Sequence, residues 1–150
     1  SFYRKIDWPI IVMLAAMIPI GTALQTTGVS SLVATSISTY ASSLSLFWIL
    51  LIILIVTMVT TDIINNAATA VIMAPISTGI ALELGYAIEP FLMVVAVGAS
   101  CAFLTPIGHQ CNTVVMGPGN YKFTDYWRMG LPMDILIILA SIPMILFVWT

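Results

Sequence analysis

An all-α membrane domain is the fold class this sequence predicts, on three observations. Hydrophobic residues make up 61% of its 150 residues and charged residues only 7%, with a mean hydropathy of +1.13. A soluble domain carries roughly 25% charge, and a chain this apolar has too little polar surface to face water on all sides. Apolar runs of helical length alternate with short polar islands. Two of those islands, Thr60–Thr69 and Thr105–Thr113, fall where a run would otherwise cross a bilayer.

The composition also excludes. With a net charge of -2 and no basic stripe, no nucleic-acid partner is expected. Cys101 and Cys111 sit in apolar or irregular sequence without metal-type spacing, so they read as reduced packing residues rather than a disulfide. Arg4 and Lys5 precede an apolar run, but it lacks a small-residue cleavage site and leads into more membrane sequence, unlike a signal peptide. Ser1 in place of Met suggests a piece of a longer chain. No nucleophile–base pair or metal-ligand set appears, so an enzyme is not expected.

In chain order, residues 8–25 form a spanning helix, opened by Asp7-Trp8-Pro9 as cap, interfacial anchor and first-turn proline, and closed by Gly28. Pro19 and Gly21 predict a kink or an early end. Residues 29–45 are rich in Ser, Thr and Ala, with Val29, Leu32, Val33, Ile37, Tyr40 and Leu44 on one face, which predicts an amphipathic helix along the interface. Residues 46–84 follow as two apolar runs, Leu46–Val59 and Ala70–Leu82, around Thr60–Thr69. Each run spans only about 20 Å as a helix, against a bilayer core of about 30 Å. The island between them is then either a surface turn or the tip of a re-entrant hairpin; the short arms and the second break favour re-entry, so residues 46–84 are expected to form a re-entrant helical hairpin. Residues 90–117 form a helix broken at Thr105–Thr113, where a proline, a glycine and polar side chains interrupt the run. Tyr121–Arg128 is aqueous and interfacial, and residues 132–149 form the last spanning helix.

Paired breaks of this kind point to a midplane binding site in a secondary transporter. A half-helix that starts inside the membrane presents unpaired N–H groups and a partial positive charge, which suit an anion. Asn65 and Asn66 carry both donors and acceptors, and carbonyls freed around Gly108–Asn112 suit a cation. Asp62 either tunes that cation site or relays protons, or else locks the tip by accepting backbone N–H bonds. His109 either contacts the anion or satisfies a carbonyl of the broken helix. Placing Arg4, Lys5, Lys122 and Arg128 on the cytoplasmic side puts the N-terminus inside and the C-terminus outside.

At these residues the chain resembles the divalent anion:sodium symporter family, within the ion-transporter superfamily that includes citrate transporters and arsenite permeases. Gly21-Thr22-Ala23-Leu24 with Thr27-Gly28 looks like the family's helix end before its interfacial arm. Thr61-Asp62-Ile63-Ile64-Asn65-Asn66-Ala67-Ala68-Thr69-Ala70 looks like the second Ser-Asn-Thr signature at the outward hairpin tip. Ala99–Leu104 leading to Pro106 and Asn112 looks like the unwound helix that completes the second sodium site. Asn65 and Ala67 replace two hydroxyl residues of the signature, and His109-Gln110-Cys111 replaces Thr-Pro-Pro. Gly108-His109-Gln110 with Gly117-Pro118-Gly119 is similar to bacterial sulfate-type permeases that carry cytosolic regulatory domains.

The resemblance implies the C-terminal inverted-repeat half of a transporter, moving a small divalent anion with sodium by alternating access. A sulfate-like oxyanion is favoured over a dicarboxylate. It implies anion contacts at Asn65, Asn66, Ala67, Thr69, His109 and Asn112, and sodium contacts, partly through backbone carbonyls, at Thr61, Ile64, Asn66, Gly108 and Asn112. Asp62 is the coupling candidate. Sodium is the coupling ion and no other cofactor is expected. The partners are the anion or a small dicarboxylate, sodium, the lipid bilayer, an N-terminal transporter half, and a second copy in a homodimer of the complete protein. The expected location is a bacterial inner membrane. Competing readings are a channel, a proton-coupled antiporter or an arsenite/citrate-type permease on the same scaffold, and a non-transporting membrane interaction protein.

Overall fold

The computed structural model describes residues 44–149 and scattered positions between 11 and 36. The regular structure of the described residues is entirely helical: α1 Leu46–Ile63, α2 Asn66–Leu84, α3 Glu89–Ala99, α4 Gln110–Met116 and α5 Phe123–Trp149. The expected spanning helix over residues 8–25 and interfacial helix over 29–45 lie largely outside the described residues. Those of their positions that are described are helical up to Thr26 and again from Val29. Between them Gly28 takes φ 74, the left-handed backbone of a helix stop.

α3 is the centre of the packing, touching α1, α2 and α5. Its inward face follows the helical period through Phe91, Val94, Val95, Gly98 and Ala99, all buried. α1 answers with Leu50, Ile53, Leu54, Thr57, Met58 and Thr61. The two helices approach closely at Gly98, where a Cβ would come 2.9 Å from Thr57 Cβ and 3.2 Å from Leu54 Cδ1. Small residues allow this in membrane helices, where close backbone packing rather than a hydrophobic force holds the pair. The outward side chains are apolar too, including Ile52, Val59, Leu139 and Phe147. This is the surface of an integral membrane protein, and α1, α2 and α5 are each long and apolar enough to cross a bilayer.

Three expectations about boundaries need correction. The hairpin arms are longer than the apolar runs alone: α1 has 18 residues and α2 has 19, roughly 27–28 Å each. Thr60, Thr61 and Asp62 continue α1 because their polar side chains all find partners: the Thr60 hydroxyl bonds the Val56 carbonyl within the helix at 2.7 Å, and Thr61 and Asp62 bond groups beyond it. The shortness of the arms therefore does not argue for re-entry. The broken helix unwinds at Ser100, not at Thr105, leaving residues 100–109 outside helices. The last helix starts at Phe123 rather than at residue 132, because Asp125 in its first turn reaches back to the Lys122 N–H at 2.8 Å and closes a helix start. Pro132 and Pro143 are carried inside it.

The link from α2 to α3 is a sharp reversal. Gly85 adopts φ 74, and the Tyr86 N–H reaches back to the Ala81 carbonyl at 2.9 Å, a left-handed cap that satisfies the helix end. Pro90 and Glu89 then open α3, the proline where no donor is needed and the acid where the helix start is positive.

Candidate functional site

The two interruptions meet. Ile64 and Asn65 separate α1 from α2, and residues 100–109 separate α3 from α4. The Thr61 hydroxyl lies 3.0 Å from the Ala99 carbonyl at the end of α3. The Leu104 N–H donates to Asp62 Oδ1 at 3.1 Å, and the Thr105 hydroxyl donates to the Asp62 carbonyl at 2.7 Å. A Cβ on Gly108 would stand 3.1 Å from the Thr61 carbonyl oxygen and 3.1 Å from Asp62 Cα, so glycine lets the two backbones touch. The Asp62 and Thr105 side chains thus hold the end of α1 to the unwound stretch, and Thr61 holds it to the end of α3.

Within the tip, Asn66 Oδ1 lies 2.9 Å from the Thr61 hydroxyl oxygen. A hydroxyl has one proton, so it serves either Asn66 or Ala99 at a given moment. Three oxygens therefore converge here: Thr61 Oγ1, Asn66 Oδ1 and the Ala99 carbonyl. They lie where α1 and α3 both end, and helix C-termini carry partial negative charge. Asn65 is the N-cap of α2, its Oδ1 accepting the Ala68 N–H at 2.8 Å. That occupies the amide oxygen and leaves the amide nitrogen of an exposed side chain. Ala67 is half-buried in the same first turn. Ile64 is exposed, with its N–H on the Thr60 carbonyl at 2.9 Å.

The remaining candidates fall elsewhere. Thr69 is fully buried behind the tip, and its hydroxyl oxygen has no hydrogen-bond partner among the described residues. Asn112 turns inward on its own segment: its Nδ2 donates to the Ala102 carbonyl at 2.8 Å and the Thr105 carbonyl at 3.1 Å. The Tyr126 hydroxyl holds the Asn112 carbonyl at 2.7 Å. His109 is exposed and caps α4, its Nδ1 accepting the Cys111 N–H at 3.2 Å rather than facing a carbonyl. Cys101 is buried and Cys111 exposed, both free. A cavity of 360 Å³ opens beside the unwound stretch, between Phe103, Asn112, Val115, Tyr126 and Met129; it touches neither Asn65 nor Asn66.

One residue escapes a reading based on run lengths. Asp134, the sole acid between Leu131 and Trp149, is buried in α5 with Oδ1 unpartnered among the described residues. A carboxylate inside an apolar run was the available signal, since such residues are functional candidates by default.

An apolar helical chain in which a helix–helix tip closes on an unwound helix defines a class, that of membrane transport domains. The chain belongs to the citrate transporter family, whose sequence model matches residues 1–98. It is 37% identical over 149 residues, 99% of this chain and 24% of the relative, to an uncharacterized transporter of Synechocystis. It is 38% identical over 145 residues, 97% of this chain and 24% of the relative, to an uncharacterized transporter of Escherichia coli. A probable sodium/sulfate cotransporter of Chlamydomonas reinhardtii is 30% identical over 140 residues, 92% of this chain and 16% of that protein. The chain thus spans about a quarter or less of the length of these curated relatives.

Proposed function

We propose that this chain is the C-terminal repeat of a secondary transporter that carries a small divalent oxyanion, sulfate in preference to a dicarboxylate, together with sodium. The observation that carries the reading is the convergence of Thr61 Oγ1, Asn66 Oδ1 and the Ala99 carbonyl beside the start of α2. The ends of α1 and α3 suit a cation, and the first turn of α2 suits an anion. Ile64 and Gly108 contribute main-chain oxygens to the sodium. Asn65 and Asn66 amide nitrogens and the Ala67 N–H meet the anion, with His109 at its exposed edge. Thr69 and Asn112 act from behind, supporting the tip and the unwound stretch. The sodium/sulfate cotransporter among the relatives supports the pairing of ions.

The length of α3 supports a tip at depth in the membrane. Its 11 residues cover roughly 16 Å, about half of a bilayer core. On this reading a helix that enters at Glu89 ends near the midplane, and Thr61 bonds that end. Alternating access then moves the α1–α2 hairpin and the unwound helix as one body, since Asp62 is bonded to both Leu104 and Thr105. Sodium favours the assembled tip and so raises its affinity for the anion. The complete protein adds an N-terminal repeat, works as a homodimer in a bacterial inner membrane, and has this segment's start on the cytoplasmic side and its end outside.

The test is uptake of labelled sulfate against succinate by a full-length polypeptide carrying this sequence, with and without a sodium gradient. Sodium-dependent sulfate uptake, abolished by Asn66→Ala without loss of membrane insertion, is the expected result. Flux that follows pH and ignores sodium would replace sodium with a proton. A freely water-reactive cysteine at position 65 in every condition would make the tip a surface turn.

A further inference from the structure

We propose that Asp134 and Asp62 form an additional cation site behind the tip, in which one carboxylate oxygen from each binds a sodium ion. The proposal rests on the reading of a sodium-coupled carrier and adds to it a residue on α5.

Both acids are buried, Asp62 at 4% and Asp134 at 8% exposure. Asp62 Oδ2 and Asp134 Oδ1 each lack a hydrogen-bond partner among the described residues, which is costly for a polar atom unless something else meets it. The packing brings α5 against the same stretch of chain that Asp62 bonds. Gly130 presses α5 against the unwound stretch, so that a Cβ there would come 2.6 Å from the Phe103 carbonyl carbon and 3.1 Å from the Leu104 nitrogen. That same Leu104 nitrogen donates to Asp62 Oδ1. Asp134 follows Gly130 by four positions, hence on the same helix face one turn along. The two carboxylates lie within electrostatic reach of each other, with Cys101 the further titratable group within reach of both.

No positive side chain answers them among the described residues. Lys122, Arg128 and His109 are exposed, and an uncompensated pair of carboxylates in a membrane interior is not a stable arrangement. The chemistry is of the kind a small hard cation uses, two carboxylate oxygens on elements that pack against an unwound helix. Asp62 then links two ions, since its neighbour Thr61 belongs to the oxygen cluster at the tip.

Equilibrium binding of radioactive sodium to the purified full-length protein tests this directly. Asp134→Asn should bind one sodium fewer per protein than the wild type, Asp62→Asn should lose the same ion, and the double variant should lose no more than either. Sodium should raise the melting temperature of Asp134→Asn less than that of the wild type, while the variant melts no lower than wild type in sodium-free buffer. If Asp134→Asn fails to fold, Asp62→Asn carries the measurement. Unchanged sodium binding in the variants overturns the site. So does unchanged sodium binding combined with a lost proton uptake, which would make the occupant a proton. A wild type that binds sodium and transports normally while Asp134→Asn binds as many ions leaves the tip reading intact and removes this one alone; a wild type that binds no sodium removes both.

Discussion

Thr105 and Asp62 are joined across the two interruptions: the Thr105 hydroxyl donates to the Asp62 main-chain carbonyl at 2.7 Å. The same hydroxyl oxygen accepts the Gly108 N–H at 3.1 Å. Thr105→Val keeps the shape and removes both bonds. It should lower stability by ~1–3 kcal/mol, the penalty for leaving part-buried polar groups without partners, and should depress uptake, while Thr105→Ser retains both. Melting in detergent and uptake in vesicles read the two effects; a Thr105→Val protein equal to Thr105→Ser on both counts would mean the bond does not matter.

The approach of α1 to α3 has no room to spare at Gly98. Gly98→Ala should cost ~1–3 kcal/mol by overpacking, because its Cβ would meet Thr57 Cβ at 2.9 Å and Thr57 Cγ2 at 3.0 Å. Gly117→Ala is the control, with nothing within 4 Å of its Cβ. A thermal melt that ranks the two alike would contradict this packing.

Gly130 is a harsher case, since its neighbour is main chain rather than a side chain that can rotate. Gly130→Ala should push α5 away from Phe103 and Leu104 and cut transport severely. The purified variant should also show new protease sensitivity near residues 100–109. Wild-type uptake would show that α5 can shift freely against the unwound stretch.

Asn65 has two jobs that separate by substitution. Its cap on the Ala68 N–H is worth ~1 kcal/mol, lost in Asn65→Ala and kept in Asn65→Ser. Asn65→Ser should therefore melt like the wild type yet raise the KM for the anion, because the amide nitrogen is gone. An unchanged KM in Asn65→Ser would remove that nitrogen from the anion site.

The helical class and the two interruptions were legible because Gly, Pro and clustered amides punctuate otherwise apolar runs. Where the breaks begin was less so. Pro106 announces a helix end near Thr105, but α3 unravels from Ser100. The reason lies elsewhere in the chain: Asp62 takes the Leu104 N–H, and Asn112 takes the Ala102 carbonyl. Partners so far apart in sequence leave no local trace. Thr60–Asp62 read as part of a polar island because the partners of Thr61 and Asp62, Ala99 and Leu104 among them, are distant in sequence, while Thr60 bonds back into α1. Asn112 and His109 were recognisable as polar groups at a break, yet which way each turned depended on carbonyls and N–H groups exposed only by the fold.

The brace that Asn112 makes within residues 100–109 has a consequence of its own. One amide clasps two carbonyls, Thr113 holds the Pro106 carbonyl at 2.6 Å, and Tyr126 fixes Asn112 in turn. An irregular segment fastened this way is shaped before any ion arrives. Little ordering entropy then opposes capture, and an emptied carrier can reset without having to rebuild its own receptor.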